Sequence, residues 1–219
     1  MPFYHEIPPR VLVGILHTEL TTIAWSFGLR NLILPPGSDF LPIAGQPYDM
    51  ARNTICAAAI HNGFDYVFHF DSDVIPPRDA VMRLLAHRKS IISGIYHRRS
   101  PPHGIPVMLK NGQWLGGYPA NTLLDVDLVG AGCLLLDTEM LKRCPPIKPG
   151  KPWFSWQVDQ PKDEKNPGWE LSEDFVFCRW ARERMGIPTL VDTSVICKHV
   201  GLCEAGLHSM IPLNTTPHT

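Results

Sequence analysis

This sequence has no surplus of charge. Its 20 lysines and arginines face 21 aspartates and glutamates, for a formal charge of −1. That balance gives no reason to expect DNA, RNA or an anionic membrane as partner. Long apolar runs are missing too. The longest, around Ile91–Ile92 and Cys133–Leu136, are far too short to cross a bilayer, so no transmembrane segment is expected. The opening MPFYHEIPPR holds no apolar signal-peptide core. The six cysteines lack any CxxC spacing. Most sit inside apolar runs, where reduced, buried thiols are expected. Together these absences lead us to expect a soluble protein in a reducing, cytoplasmic setting. Internal repeats and a domain boundary are absent as well, and 219 residues suit one sizeable core and one domain.

The hydrophobic fraction of 44% and charged fraction of 19% are those of a globular chain. The 22 prolines are about twice the usual number, which predicts long ordered loops. Val11–Leu16 reads as a buried strand, followed by a helix to about Gly28 and a short strand at Leu32–Leu34. Gln46-Pro47 can open a helix. Met50, Ala51, Ile55, Ala58 and Ala59 then recur at helical spacing, and His61-Asn62-Gly63 stops them. Tyr66–Phe70 is a strand, Arg78–Arg88 a helix and Ser90–Tyr96 a strand. Alternating strand and helix predicts an α/β fold whose sheet is largely parallel in this half.

Later, Val107–Trp114 reads as a hairpin turning at Asn111-Gly112. Leu123–Val129 and Cys133–Leu136 are strands around Gly130-Ala131-Gly132. Pro145–Gly168 lacks periodicity and is expected to be a long, mobile loop. Leu171–Met185 is a helix, Thr189–Asp192 and Ser194–His199 are strands, and the tail after Gly206 is expected to be poorly ordered.

The chemistry-bearing residues each have two readings. Asp71 and Asp73 follow the apolar YVFHF, at the end of a strand, where ligands bind in open α/β sheets. They could hold Mg²⁺ or Mn²⁺ and through it phosphate oxygens, or simply open a proline-rich turn. Asp125 and Asp127 repeat the spacing on a strand that alternates apolar and polar, as one half-solvated face produces. Glu173 and Asp174 follow Ser172 at a helix start. The macrodipole favours acids there by roughly 0.3–1 kcal/mol, but the position also suits a general base. His199, in VICKHVG, is either structural or a third metal ligand. Arg52, beside Asn53, is either a surface charge or a fork for phosphate. Trp153, Trp156 and Trp169 either pack the proline-rich loop down or stack on a sugar.

Four stretches, in order, carry a resemblance: MARNTICAAAIHNGFDYVFHFDSDVIPP, IISGIYHRR, DLVGAGCLLL and LSEDFVFCRWARERMGIPTLVDTSVICKHVG. Across about Val11–Gly201 the chain resembles a nucleotide-sugar glycosyltransferase of the GT-A fold and family-2 type, in its compact phage and bacterial versions. The resemblance implies a single GT-A domain with a Rossmann-like, mostly parallel mixed sheet flanked by helices. Residues 11–100 would be the nucleotide-binding half, 101–205 the acceptor and catalytic half, and 206–219 a tail.

It also implies roles. Asp73 would bind a divalent cation, Mn²⁺ or Mg²⁺, and Asp71 would serve the ribose or that metal. Ser72 lies between them in the motif. His199 would complete the metal site. Asp174, with Glu173 before it, would be the base of an inverting enzyme. Arg52, Thr18 and Glu19 would contact the nucleotide, and Gly130 and Gly132 would line the donor-sugar and acceptor site. The donor would be a nucleotide-diphosphate sugar and the acceptor a hydroxyl of unidentified origin. HTELTT stands where the family usually carries a proline- and asparagine-rich turn.

Two other readings compete. Asp71–Val74 also fits the strand-end motif of haloacid-dehalogenase-type phosphohydrolases, with Asp71 as nucleophile and Asp73 as acid. A non-catalytic nucleotide-sugar-binding protein on the same fold is the third.

Overall fold

The computed structural model describes residues 8–17, 20–99, 104–160, 169–203 and 206–209. The first half runs β1 (Val11–His17), α1 (Ile23–Asn31), β2 (Asp39–Ala44), α2 (Tyr48–His61), β3 (Tyr66–Asp71), β4 (Val74–Ile75), α3 (Ala80–Ala86) and β5 (Ile91–Ile95). The second half runs β6 (Met108–Lys110), β7 (Gln113–Trp114), β8 (Leu123–Val126), β9 (Leu128–Val129), β10 (Cys133–Asp137), α4 (Thr138–Arg143), β11 (Gln157–Gln160), β12 (Trp169–Leu171), α5 (Glu173–Met185), β13 (Thr189–Ile196), β14 (Lys198–Cys203) and β15 (Gly206–Ser209).

Seven strands form the central sheet in the order β2-β1-β3-β10-β5-β13-β8. Strands β2, β1 and β3 are mutually parallel, and β5 and β13 point the same way. Strands β10 and β8 run against their neighbours. The sheet is therefore mixed but mostly parallel, in a Rossmann-like α/β arrangement.

Alternation along β1 shows why the sheet needs two helical covers. Leu12 and Leu16 join the core formed with Ala51, Ile55 and Cys56 of α2 and Phe177 and Cys178 of α5. Val11, Val13 and Ile15 join the opposite core, with Trp25 of α1 and Val81 and Leu84 of α3. A strand buried on both faces reads as a continuous apolar run, as VLVGIL does. Gly14 interrupts that run because α2 lies close. A Cβ there would meet Ile55 Cγ2 at 2.4 Å.

Several expected elements differ. Leu32–Leu34 is not a strand. It leaves the α1 C-cap and packs its leucines against the second core. The strand beside β1 is instead DFLPIA. Its Pro42 cannot donate to a ladder, which is tolerated because β2 is the sheet's edge. The expected loop at Pro145–Gly168 is tied down in its first part. The Asn53 side chain donates to the Phe154 carbonyl at 2.8 Å and accepts from the backbone N–H groups of Trp153 and Phe154 at 3.1 and 3.0 Å. Phe154 is fully buried and stacks on Phe177, with ring centroids 4.7 Å apart. Gln157 onward then forms the β11–β12 hairpin. Finally, Gly206–Ser209 of the expected tail is a strand paired with β14.

Candidate functional site

Strand β1 leads through α1 to β2 on one side, and α2 then returns the chain to β3 on the other side. The reversal opens a crevice at the carboxyl ends of β1 and β3, the position where open α/β sheets bind ligands. Asp71 ends β3 there. Its backbone N–H donates to the Gly132 carbonyl at 3.3 Å, and the Ser72 N–H donates to Leu16 at 3.1 Å. The Trp25 indole N–H caps the Asp71 carbonyl at 2.9 Å. Three elements thus fix the DSD turn. Because β10 runs backwards, the turn that precedes it, Gly130-Ala131-Gly132, also opens on this side.

Glycine is required in that turn. A Cβ on Gly130 would lie 2.0 Å from the Tyr96 hydroxyl, and one on Gly132 2.8 Å from Val74 Cγ2. The Gly132 N–H donates to the Tyr96 hydroxyl at 3.2 Å. These glycines let Tyr96, at the end of β5, pack under the crevice.

Beneath the turn lies Arg52, only 3% exposed. Its Nη2 faces both oxygens of Asp71, at 3.1 and 3.3 Å. Its Nε donates to Glu173 Oε1 at 3.0 Å and Nη1 to the Ala131 carbonyl at 3.5 Å. The arginine is neither a surface charge nor open to a ligand, because three acceptors hold its fork. Burial disfavours its charge, yet Asp71, Glu173 and Asp174 together raise its pKa. Burial raises Asp71, with Asp73 adding to the effect and Arg52 opposing it. Glu173 is pushed up to about 7 by burial and by Asp174, against the pull of Arg52. One guanidinium shared among several acids leaves the cluster short of positive charge.

Asp174 stands at the same helix start. Its Oδ2 accepts from the Ala131 N–H at 3.0 Å. Its Oδ1 accepts from the Ser172 hydroxyl and from the Phe175 N–H. These donors fix the carboxylate at the edge of the crevice, while Glu173 turns inward to Arg52.

His199 reaches the DSD turn through a second, smaller sheet. It lies not at the end of a continuous strand from Ser194 but on β14, which pairs antiparallel with β4, His199 opposite Val74. The Val200 N–H donates to the Asp73 carbonyl at 2.7 Å. The ring's Nδ1 is 2.6 Å from the His97 carbonyl. A carbonyl only accepts, so Nδ1 carries a hydrogen, and whenever the ring is neutral its lone pair lies on Nε2. That Nε2 is 3.5 Å from Asp73 Oδ1. The other oxygen of Asp73 is 2.9 Å from Arg99 Nη1. Burial works against the Asp73 charge, but His199 and Arg99 outweigh it and hold the carboxyl below its usual range.

The donor set can be tested against a divalent cation. Two ligands at right angles around an ion, each about 2.1 Å from it, are about 3 Å apart. The Asp73–His199 pair is close to that separation. The expected trio of Asp71, Asp73 and His199 does not form one ligand group, because Asp71 faces Arg52. Among the described residues no three His, Cys, Asp or Glu side chains gather as a metal-holding group. Two protein ligands still fit Mg²⁺ or Mn²⁺, which usually complete their shell with substrate phosphates and water.

Thr18 and Glu19 lie outside the described residues. The residues after β5 were missed as individuals by sequence reasoning: Tyr96, His97 and Arg99 all touch the site. Their position just beyond the carboxyl end of a parallel strand was the available signal. Trp153 packs its loop down, its indole donating to the Leu141 carbonyl at 2.9 Å. No helix among the described residues is long and apolar enough to cross a membrane.

No family model and no curated protein matches the sequence. Among solved structures, the chain is similar to one titled "Crystal Structure of A197 from STIV", at 15% identity and a TM-score of 0.62. The match covers 91% of this chain and 93% of that one. At that identity the likeness is one of fold, a mixed α/β architecture shared along nearly the whole length of both chains.

Proposed function

We propose that this protein is a metal-dependent glycosyltransferase of GT-A type, moving a sugar from a nucleotide-diphosphate donor to an acceptor hydroxyl with inversion. One observation carries the reading: Asp73 Oδ1 and His199 Nε2, from distant parts of the chain, are 3.5 Å apart in the crevice that the Asp174 helix start also borders. A divalent cation bound there would offset the charge that develops on the leaving diphosphate. Asp174 would accept the proton of the acceptor hydroxyl as the new C–O bond forms at the anomeric carbon. The old bond to phosphate oxygen breaks, and its electron pair leaves with the diphosphate. The fixed position of the Asp174 carboxylate suits this task. Glu173, facing Arg52, would hold the helix start in place. The β11–β12 hairpin leads into that helix start and is the natural element to shield the donor from water.

The phosphohydrolase reading asks Asp71 to attack phosphorus. Both of its oxygens face Arg52, and that pairing weakens a nucleophile.

The test is a thermal-shift panel of nucleotide sugars with and without Mn²⁺, followed by assays for transfer and donor hydrolysis. We expect one donor class to raise the melting temperature in a Mn²⁺-dependent way. Asp73→Ala should lose that dependence. A wild-type protein indifferent to every nucleotide sugar would overturn the proposal. Turnover of an aryl phosphate instead would favour the phosphohydrolase, and donor binding without transfer or hydrolysis would favour the binding protein.

A further inference from the structure

Two arginines approach the DSD turn, and they are held differently. Arg52 is buried, with its fork fixed by Asp71, Glu173 and Ala131. The Arg99 side chain is 49% exposed and reaches Asp73 Oδ2 at 2.9 Å. On its other oxygen Asp73 faces His199 at 3.5 Å. A cation bound between that oxygen and the imidazole would sit on the same carboxylate as the guanidinium, one on each oxygen, within about 7 Å of it given metal–oxygen bonds of about 2.1 Å. Like charges that close repel. The ion and Arg99 therefore compete for one carboxylate.

We propose that Arg99 is an exchangeable counter-ion. It neutralises Asp73 in the empty site and turns to the donor's diphosphate once the ion and donor are bound. The inference rests on the transferase reading and adds a phosphate-gripping residue to it. Charge balance supports it in both states. In the empty site one guanidinium matches one carboxylate. In the filled site Asp73 and a doubly charged diphosphate together match a divalent ion and one guanidinium. Arg52 cannot serve, since its charge is already shared among the acids beneath the turn. The exposed fork of Arg99 has room to rotate, and its geometry suits paired phosphate oxygens. It also follows β5, whose carboxyl end opens on the same crevice as that of β3.

The test compares wild type with Arg99→Ala and Arg99→Lys. Mn²⁺ binding without nucleotide is followed by the electron paramagnetic resonance of the free ion. Binding of UDP, GDP and dTDP at saturating Mn²⁺ is followed by calorimetry. Arg99→Ala should bind Mn²⁺ alone about threefold more tightly, since an exposed ion pair opposing the metal is gone. It should bind the preferred diphosphate about tenfold more weakly, since charged hydrogen bonds are lost. Arg99→Lys keeps the competing charge but not the fork, so its Mn²⁺ affinity should stay near wild type while diphosphate affinity falls. These opposite signs separate a change of partner from general damage. Any other pattern, including both affinities unchanged or both weaker, overturns the inference alone. A wild-type protein that binds neither Mn²⁺ nor any of the three diphosphates removes the transferase reading and this inference together.

Discussion

Two aspartate pairs share one spacing and almost nothing else. Asp71 and Asp73 sit at the carboxyl end of an interior strand, above a buried arginine and beside His199 and Arg99. Asp125 lies on edge strand β8, 49% exposed, facing Lys110 at 3.3 Å and also Arg182. Asp127 faces the same lysine at 3.4 Å and accepts from the Asn111 N–H at 2.6 Å. The second pair pins the β6–β7 hairpin and α5 to the edge of the sheet. The first is built into a crevice where positive charge is short. Spacing alone does not separate them. The separation lies in which end of which strand carries the acids, and in what is buried below.

The sharpest way to break this contrast is through the neighbour that would make the first pair catalytic. Asp174→Asn should leave donor binding intact and lower turnover by about 10²–10⁴-fold, the usual contribution of a general base. Single-turnover transfer assays beside donor titrations would measure it. Near-normal turnover would reduce Asp174 to a helix-start acid. The next test removes the cation beside each pair. Arg52→Ala leaves buried carboxylates unmatched and should cost about 3–5 kcal/mol in urea unfolding. Lys110→Ala should cost no more than about 1 kcal/mol, the usual ceiling for an exposed pair. Equal losses would dissolve the distinction.

A smaller effect concerns pH. Glu173 is raised to about 7 in the folded protein, from an unfolded value of about 4.3. Between those values the folded state binds more protons than the unfolded one. Stability should therefore be fully present below about 4.3 and fall as pH rises towards 7. Glu173→Gln should flatten that slope in thermal melts taken from pH 4.5 to 7.5, and an unchanged slope would assign it to another group. The least effect is expected from Asp127→Asn, which should leave any Mn²⁺ dependence as in wild type.

Much of the fold could be read in advance wherever periodicity and chain breakers agreed. The α2 helix spacing ends at Asn62-Gly63, the apolar runs of β1, β3 and β5 are continuous, and Asn111-Gly112 turns the hairpin. Strand β2 escaped because Pro42 argues against a strand unless the strand is known to be an edge, and edges exist only in the assembled sheet. Helix α4 is six residues long, too short for a period to show. Nothing in CLLLD reveals that β10 runs backwards, yet that direction brings the Gly130–Gly132 turn to the crevice. Within the site, the DSD turn and the Glu173-Asp174 helix start stood out by residue type. The burial of Arg52 did not, because an arginine in a polar stretch of helix looks solvated until Asp71 and Glu173 close over it. Arg99 was hidden in a basic triplet, His97-Arg98-Arg99, whose meaning depends on where β5 ends.

The β14–β4 pairing also has a consequence for how the protein matures. His199 meets Asp73 only after the last long strand of the main sheet is in place and the chain has doubled back over the turn. Contacts so distant in sequence carry a larger loop-closure entropy than local ones. If the pair takes up a cation as proposed, partly synthesised or partly folded chains would lack that affinity, since a chain cut short after Ile196 carries no imidazole at position 199. Uptake of Mn²⁺ would then serve as a sensor of complete folding, silent until the final stretch has docked.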